Sequence, residues 1–166
     1  MRGKIIVIEG TDCSGKETQT SLLVQRLKRE GKKVERLRFP MYETPTGKIV
    51  GGPYLGKDYI TPCWFSEGAV NVDPKVAALY YAADRRYNLT TIENYLRDGY
   101  DLIIDRYVES NMAHQGCKII DKEERLKLYK WLETLEYNLL ELPKPDLTIL
   151  LHMPYKKVVE LKRGRI

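Results

Sequence analysis

Residues 4 to 22 read Lys-Ile-Ile-Val-Ile-Glu-Gly-Thr-Asp-Cys-Ser-Gly-Lys-Glu-Thr-Gln-Thr-Ser-Leu: an apolar run, a loop bracketed by two glycines, and the start of a polar helix. Ile5, Ile6, Val7 and Ile8 follow one another without alternation, the pattern of a strand covered on both faces of a parallel sheet. Between such a strand and a helix, the spacing G-x-x-x-x-G-K has a physical meaning. Gly10 and Gly15 permit backbone conformations closed to other residues, so the N-H groups of Thr11, Asp12, Cys13 and Ser14 can turn inward around phosphate oxygens while the helix end adds its positive dipole. Lys16 supplies a mobile charge for the outer phosphates. The stretch spanning Gly10 to Thr18 is therefore a phosphate-binding loop.

One position departs from the motif. Glu17 stands where Ser or Thr usually offers a hydroxyl to magnesium, and Thr18 comes one residue later. The loop is similar there to adenylate kinases, which also lack a hydroxyl directly after the lysine and read Gly-Lys-Gly-Thr-Gln.

Outward from the loop, the helix from residue 16 to about 30 precedes a second strand carrying Val34, Leu37 and Phe39 and ending at Pro40. Residues 41 to 74 are rich in Gly, Pro and Thr and show no period, which at this length suggests a functional loop. Pro74 opens a helix with Val76, Leu79, Tyr80, Ala83 and Tyr87 at helical spacing, expected to run to Asp98-Gly99. Leu102 to Asp105 forms the third strand. Asp121 with Glu124 three residues on makes a capping box for a helix through Leu128, Leu132, Leu135 and Leu139, and residues 147 to 151 form the fourth strand. This alternation implies an α/β fold with a parallel sheet between helix layers, with ligands at the carboxyl ends of the strands. Gly10, Phe39, Asp105 and His152 fall at those ends.

The 166 residues, 43% hydrophobic and 31% charged, suit a single globular domain. No apolar run is long enough for a signal-peptide core or a bilayer span, so a cytoplasmic enzyme is expected, without membrane association. Cys13, Cys63 and Cys117 are odd in number and widely spaced, matching neither a disulfide framework nor a zinc site. The net charge of +5 comes from cations scattered among acids, which is a solvated surface with a polyanionic ligand and not the concentrated stripe that nucleic acid requires. Asp105 at its strand end suits a hydrated magnesium ion facing the phosphates, or alternatively caps the next helix.

Gly-Thr-Asp in the loop, Arg38-Phe39-Pro40 after strand two, Tyr80-Tyr81-Ala82-Ala83-Asp84-Arg85 on the following helix, Asp105-Arg106-Tyr107 after strand three and Leu142-Pro143-Lys144-Pro145-Asp146-Leu147 before strand four together resemble the thymidylate kinase family, in family order through the whole chain. The resemblance implies a P-loop three-layer α/β/α fold with strand order 2-3-1-4, a homodimer, and transfer of the γ-phosphoryl of ATP to dTMP with Mg2+. It implies that Lys16, Arg106, Asp105, Arg163 and Arg165 serve catalysis, with Asp105 and Thr18 on the metal. Asp12 would accept from the acceptor's 3'-hydroxyl, Phe39 and Tyr42 would line the acceptor near its phosphate and sugar, Arg106 would grip that phosphate, Tyr81 would stack on thymine, Arg85 would donate to its O4 and Asn111 would contact the base. His114 occupies a place where the family more often has Tyr or Phe beside the sugar.

On the residues alone, several of these positions read differently. Asp12 can bond its own loop, Phe39 and Tyr81 can be core, and Arg85 can be a surface partner of Asp84. Arg106 can pair with Glu109, Asn111 can cap a helix, and Arg163 and Arg165 can sit on a solvated helix end. The chain stops where the resemblance implies that a lid is only beginning, with a helix and a fifth strand to follow; the expectation is a fragment, or a protein without lid and adenine-side loop. The alternatives to a dTMP kinase are another nucleoside or nucleotide kinase, or a non-catalytic nucleotide-binding homologue. The switch form of the latter is disfavoured, because no Asn/Thr-Lys-x-Asp guanine-reading motif occurs.

Overall fold

The computed structural model describes residues 1–163, with the side chain of Arg163 left out. The chain forms two compact units. Of the described residues, the first comprises 1–38, 92–106 and 145–163, and the second 39–91 and 107–144.

The first unit holds the sheet. Strands β1 (Ile5–Gly10), β2 (Val34–Arg38), β3 (Asp101–Asp105) and β4 (Leu147–Leu151) are all parallel, in the order β2-β3-β1-β4. This is the topology expected from the resemblance. Helix α1 (Lys16–Arg29) packs Val24, Leu23 and Leu27 against Ile6, Ile8, Val34 and Ile103. The strand period of two determines which charges share that face. Because Ile6 pairs with Ile103, Ile8 with Asp105, Arg36 with Ile103 and Arg38 with Asp105, the side chains of Arg36, Arg38 and Asp105 all project on the α1 side. On the opposite side Ile5, Val7, Leu102 and Ile104 are buried, and Glu9 is buried with them. Asp146 ties the sheet's lower end, its Oδ2 accepting from the Ile5 N-H at 2.8 Å. At the β4 edge Leu147 and Leu150 are exposed. Helix α7 (Tyr155–Arg163) follows β4.

The second unit is helical. Thr44 caps α2 (Pro45–Ile49) by accepting from the Gly47 N-H, and a π-helical segment, Val50–Tyr54, continues it. Gly47 has a packing reason: a Cβ there would lie 1.8 Å from the Met41 carbonyl oxygen. Asp73 caps α3 (Pro74–Tyr87), whose Ala77 and Ala78 let neighbours approach closely. Ala77 packs with Val50, Tyr54 and Val72, and Ala78 with Leu128 and Leu132 of α6 (Lys122–Glu133). Helix α5 (Val108–Gly116) completes the unit. The N-cap half of the expected capping box is present, with Asp121 accepting from the Glu124 N-H at 2.9 Å, while the Glu124 carboxylate accepts from Lys127 Nζ at 2.7 Å.

Four details depart from the sequence expectations. β2 ends at Arg38, so Phe39 follows the strand, through a cis peptide bond to Pro40. The stretch 41 to 74 contains α2 and the π-helical segment, too short and too rich in Gly and Pro to show a period. The helix opened by Pro74 is two helices, α3 and α4 (Leu89–Arg97), because Asn88 leaves helical geometry and its amide bonds back to the Asp84 carbonyl. Finally, α6 does not run as a plain α-helix through Leu139. It widens into a π-helical segment at Thr134–Leu139 that buries Glu136 and leaves Leu139 70% exposed.

Candidate functional site

The loop from β1 to α1 folds as its glycines require. Gly15 is left-handed (φ 85°) and immediately precedes α1, and Cys13 is left-handed too (φ 64°). A Cβ on Gly10 would come within 2.7 Å of both the Leu151 carbonyl and Ser14 Oγ, so only glycine fits where the loop leaves the sheet. The loop borders a cavity of about 350 Å³ in the first unit, lined by Asp12, Cys13, Gly15, Lys16, Glu17, Thr18, Asp105 and Arg106 among the expected residues, and by Arg38 and Lys162 besides. Gly10 and Thr11 contribute carbonyls instead: Lys16 Nζ donates to both at 2.8 Å. Ser14 Oγ is buried without a hydrogen-bond partner among the described residues.

The cavity is strongly polar and mixed in sign. Arg106, itself left-handed (φ 68°), donates from Nη2 to Asp12 Oδ1 at 2.6 Å, and Lys162 Nζ stands 3.5 Å from Asp12 Oδ2. Asp12 is thus held between two cations. Arg38 lies 3.9 Å from Glu17, and Arg36 binds Ser21 Oγ on α1 and stands 3.7 Å from Asp105 Oδ2. Asp105 Oδ1 is buried and has no hydrogen-bond partner among the described residues. Burial lowers the Lys16 pKa below its ordinary value, and the Arg106 cation adds to that; Asp105, Asp12 and Glu9 oppose the shift. Lys16, Arg38, Arg106 and Lys162 converging on one cavity make a receptor for a polyanion.

The remaining expected residues lie in the second unit. Arg85 is no surface partner of Asp84: it is 2% exposed, and its Nε and Nη2 both donate to Glu136, the latter at 2.6 Å to Oε1. Burial works against the Arg85 cation, and the adjoining Glu136 carboxylate outweighs it, so its pKa is raised. Asn111 is buried and caps nothing. Its Nδ2 donates to Glu136 Oε1 at 2.9 Å and to the Ala78 carbonyl at 3.2 Å. Tyr81 is half-buried and meets Tyr54 edge-on, Tyr42 is half-buried beneath Lys57, and His114 is exposed. Phe39 is 2% exposed with its ring 6.0 Å from that of Tyr107, which is the core placement. His152 is exposed and lines no part of the loop cavity. Arg163 closes α7 with its side chain outside the described residues, and Arg165 lies outside them altogether.

Sequence reasoning missed Arg38, Lys162 and Glu136 as site groups. Strand alternation from Val34 through Arg36 would have placed Arg38 on the loop side. Glu136 carries a signal as well, since it falls four residues after Leu132 and eight after Leu128 on one helix face. Nothing in the sequence singles out Lys162.

Several known proteins similar to this chain are thymidylate kinases. Thymidylate kinase from Schizosaccharomyces pombe is 32% identical over 152 residues, covering 92% of this chain and 62% of its own length. The human thymidylate kinase is 34% identical over the same shares, and that of Mycobacterium tuberculosis (strain H37Rv) is 31% identical over 97% of this chain and 71% of its own length. The chain thus spans about three-fifths of the length of several curated relatives. The solved structure of thymidylate kinase from Candida albicans superposes with a TM-score of 0.74 at 30% identity, covering 96% of this chain and 67% of that one. The family model described as thymidylate kinase matches residues 8–165, and the chain belongs to that family.

Proposed function

We propose that this protein is a dTMP kinase, transferring the γ-phosphoryl of ATP to dTMP to give dTDP and ADP in dTTP synthesis. The observation that carries the reading is the loop cavity, where Lys16 and Arg106 converge beside Asp105, whose buried Oδ1 has no hydrogen-bond partner among the described residues. In this reading residues 1–166 act as one kinase domain, and the protein works as a cytoplasmic homodimer.

The acceptor needs no strong general base, because a phosphate monoester with a second pKa of about 6 is already mostly dianionic at neutral pH. Catalysis is then alignment and charge neutralisation. The N-H groups of the loop hold the donor phosphates. Lys16 Nζ leaves the Gly10 and Thr11 carbonyls for the transferring phosphoryl, an exchange of two neutral acceptors for a charged one. Arg106 turns from Asp12 to the acceptor phosphate, which releases the Asp12 carboxylate to accept from the 3'-hydroxyl. Asp105 and the exposed Thr18 hydroxyl would hold Mg2+, which neutralises phosphate charge when bound; the buried Asp105 Oδ1 is the hard donor such an ion takes. Arg163 and Arg165 would add charge from the lid. Tyr42 and Phe39 would line the acceptor's sugar and phosphate. Tyr81 would stack on thymine, Arg85 and Asn111 would read its edge, and His114 would stand by the sugar.

The test is ADP release with dTMP, dUMP, dCMP and the ribonucleotide of thymine as acceptors, for the parent and Lys16→Ala. The expected result is preference for dTMP and loss of most turnover in the variant. Preference for another acceptor would assign a different nucleotide kinase. Absence of transfer with every acceptor would favour a nucleotide-binding role, and size-exclusion chromatography with light scattering tests the dimer.

A further inference from the structure

We propose that Glu136 is the specificity-positioning residue of the acceptor-base site, setting its hydrogen-bond polarity for a pyrimidine that carries a 4-oxo group beside an N3-H. The proposal rests on the dTMP kinase reading of Arg85 and Asn111.

Glu136 is fully buried in the middle of a helical surface, at 0% exposure, where an acid survives only if its acceptor sites are filled. They are filled by the two residues that the family resemblance places on the base. Oε2 accepts from Arg85 Nε, while Oε1 accepts from Arg85 Nη2 and from Asn111 Nδ2. A side-chain amide can ordinarily present either end to a ligand. Here it cannot, because a flipped Asn111 would point its oxygen at the Glu136 carboxylate and the Ala78 carbonyl, two acceptors in a buried site. Both Nδ2 hydrogens are spent on those partners, and Oδ1 is left buried without a hydrogen-bond partner among the described residues. The same carboxylate holds the Nε and Nη2 edge of Arg85, leaving Nη1 outside the pairing.

Among the described residues, what Glu136 leaves unspent is therefore the Nη1 end of the Arg85 guanidinium, a cationic donor group, and one fixed acceptor, Asn111 Oδ1. A 4-oxopyrimidine matches them with its O4 and its N3-H. Cytosine reverses both, setting an amino group against the guanidinium and a bare ring nitrogen against the amide oxygen. Discrimination then comes from leaving buried polar groups unpaired, the strongest form that a binding site offers.

The experiment measures dissociation constants for dTMP and dCMP by calorimetry on the purified protein and on Arg85→Ala, Glu136→Gln and Glu136→Asp, with thermal unfolding recorded for each. Arg85→Ala tests the base-site reading, and Glu136→Gln tests the inference, because a glutamine can no longer accept from every donor and releases the Asn111 amide. The dTMP preference should fall at least about tenfold in Glu136→Gln, with ATP affinity unchanged, and less in Glu136→Asp, which keeps the charge. A purely structural Glu136 would weaken both nucleotides in parallel and leave their ratio alone, and that outcome overturns the proposal. If Arg85→Ala lowers the preference and Glu136→Gln leaves it within twofold, only the role of Glu136 falls. If the parent does not prefer dTMP, or Arg85→Ala leaves the ratio unchanged, the base-site reading falls and takes the inference with it. Should Glu136→Gln fail to fold, Asn111→Ala with Glu136→Asp decides, and an unchanged ratio in both refutes it.

Discussion

Asp84 offers a quantitative test of how the segment after β2 is held. Its carboxylate is 1% exposed and accepts from the Met41 N-H and Thr46 Oγ1 at 2.9 Å, from Asn88 Nδ2 at 3.2 Å and from Thr44 Oγ1 at 3.3 Å. In Asp84→Ala the threonine hydroxyls, 3.4 Å apart, can turn to each other, and the Asn88 amide keeps the residue 84 carbonyl. The Met41 N-H has no such substitute. A stranded buried donor costs about 1–3 kcal/mol, and the charge-assisted bonds lost at Thr46 and Asn88 bring the total to about 2–4 kcal/mol. That is a large share of a typical stability of about 5–15 kcal/mol. Asp84→Asn keeps an oxygen for Met41, and Thr46 can turn to accept from the new amide, so its cost should be about 1 kcal/mol. Urea unfolding followed by tryptophan fluorescence suits the question, because both tryptophans, Trp64 and Trp131, lie in the second unit. An Ala variant within 1 kcal/mol of the parent, or an Asn variant as damaged as the Ala variant, would refute the reasoning.

Lys16 predicts a pH effect of definite sign: burial first and the Arg106 cation second lower its folded pKa, so between that value and 10.5 the unfolded chain holds a proton that the folded chain has released. Stability of the parent relative to Lys16→Met should rise with pH through that interval, and a flat or falling difference in urea midpoints contradicts it. Gly10→Ala should cost about 1–3 kcal/mol and weaken ATP binding, because its methyl meets the Leu151 carbonyl; Gly15→Ala, with nothing within 4 Å, should cost only the left-handed penalty of about 1–2 kcal/mol. Equal losses in the two unfolding curves would mean that close approach is not the constraint at Gly10. Arg106→Ala should raise the KM for dTMP more than that for ATP, whereas parallel increases would mean that Arg106 acts mainly by holding Asp12 in the loop.

The phosphate loop was readable because its chemistry is local: seven residues, two of them glycines, fix backbone direction and place Lys16 without help from the rest of the chain. The parallel strands were readable for a similar reason, since a β-branched run such as Ile5, Ile6, Val7 and Ile8 has few alternatives. What escaped depended on registers and long-range pairs. Arg38 joins the loop cavity because β2 pairs with β3 in one particular register. Arg85 and Glu136 are 51 positions apart, and each looks like an ordinary exposed helix charge until the other is placed beside it. The segment 41 to 74 hid two helical pieces because Gly47 and Pro53 break the pattern that would have revealed them.

The widened turn after Glu133 has a consequence for how the gene can change length. Leu128, Leu132 and Glu136 are spaced by four, and in an ordinary α-helix each such step overshoots a full turn by about 40°. The looser winding of Thr134–Leu139 absorbs that overshoot and returns Glu136 to the buried face. Point substitutions at the exposed neighbours Glu133, Thr134 and Asn138 leave this phase intact. Deleting any one residue between Glu133 and Glu136 does not: it rotates the carboxylate by about 100°, strands Arg85 as a lone buried cation and presents a different side chain to Asn111. The segment therefore tolerates changes of spelling but not of length, and a natural variant shortened there should also have lost the charge at position 85.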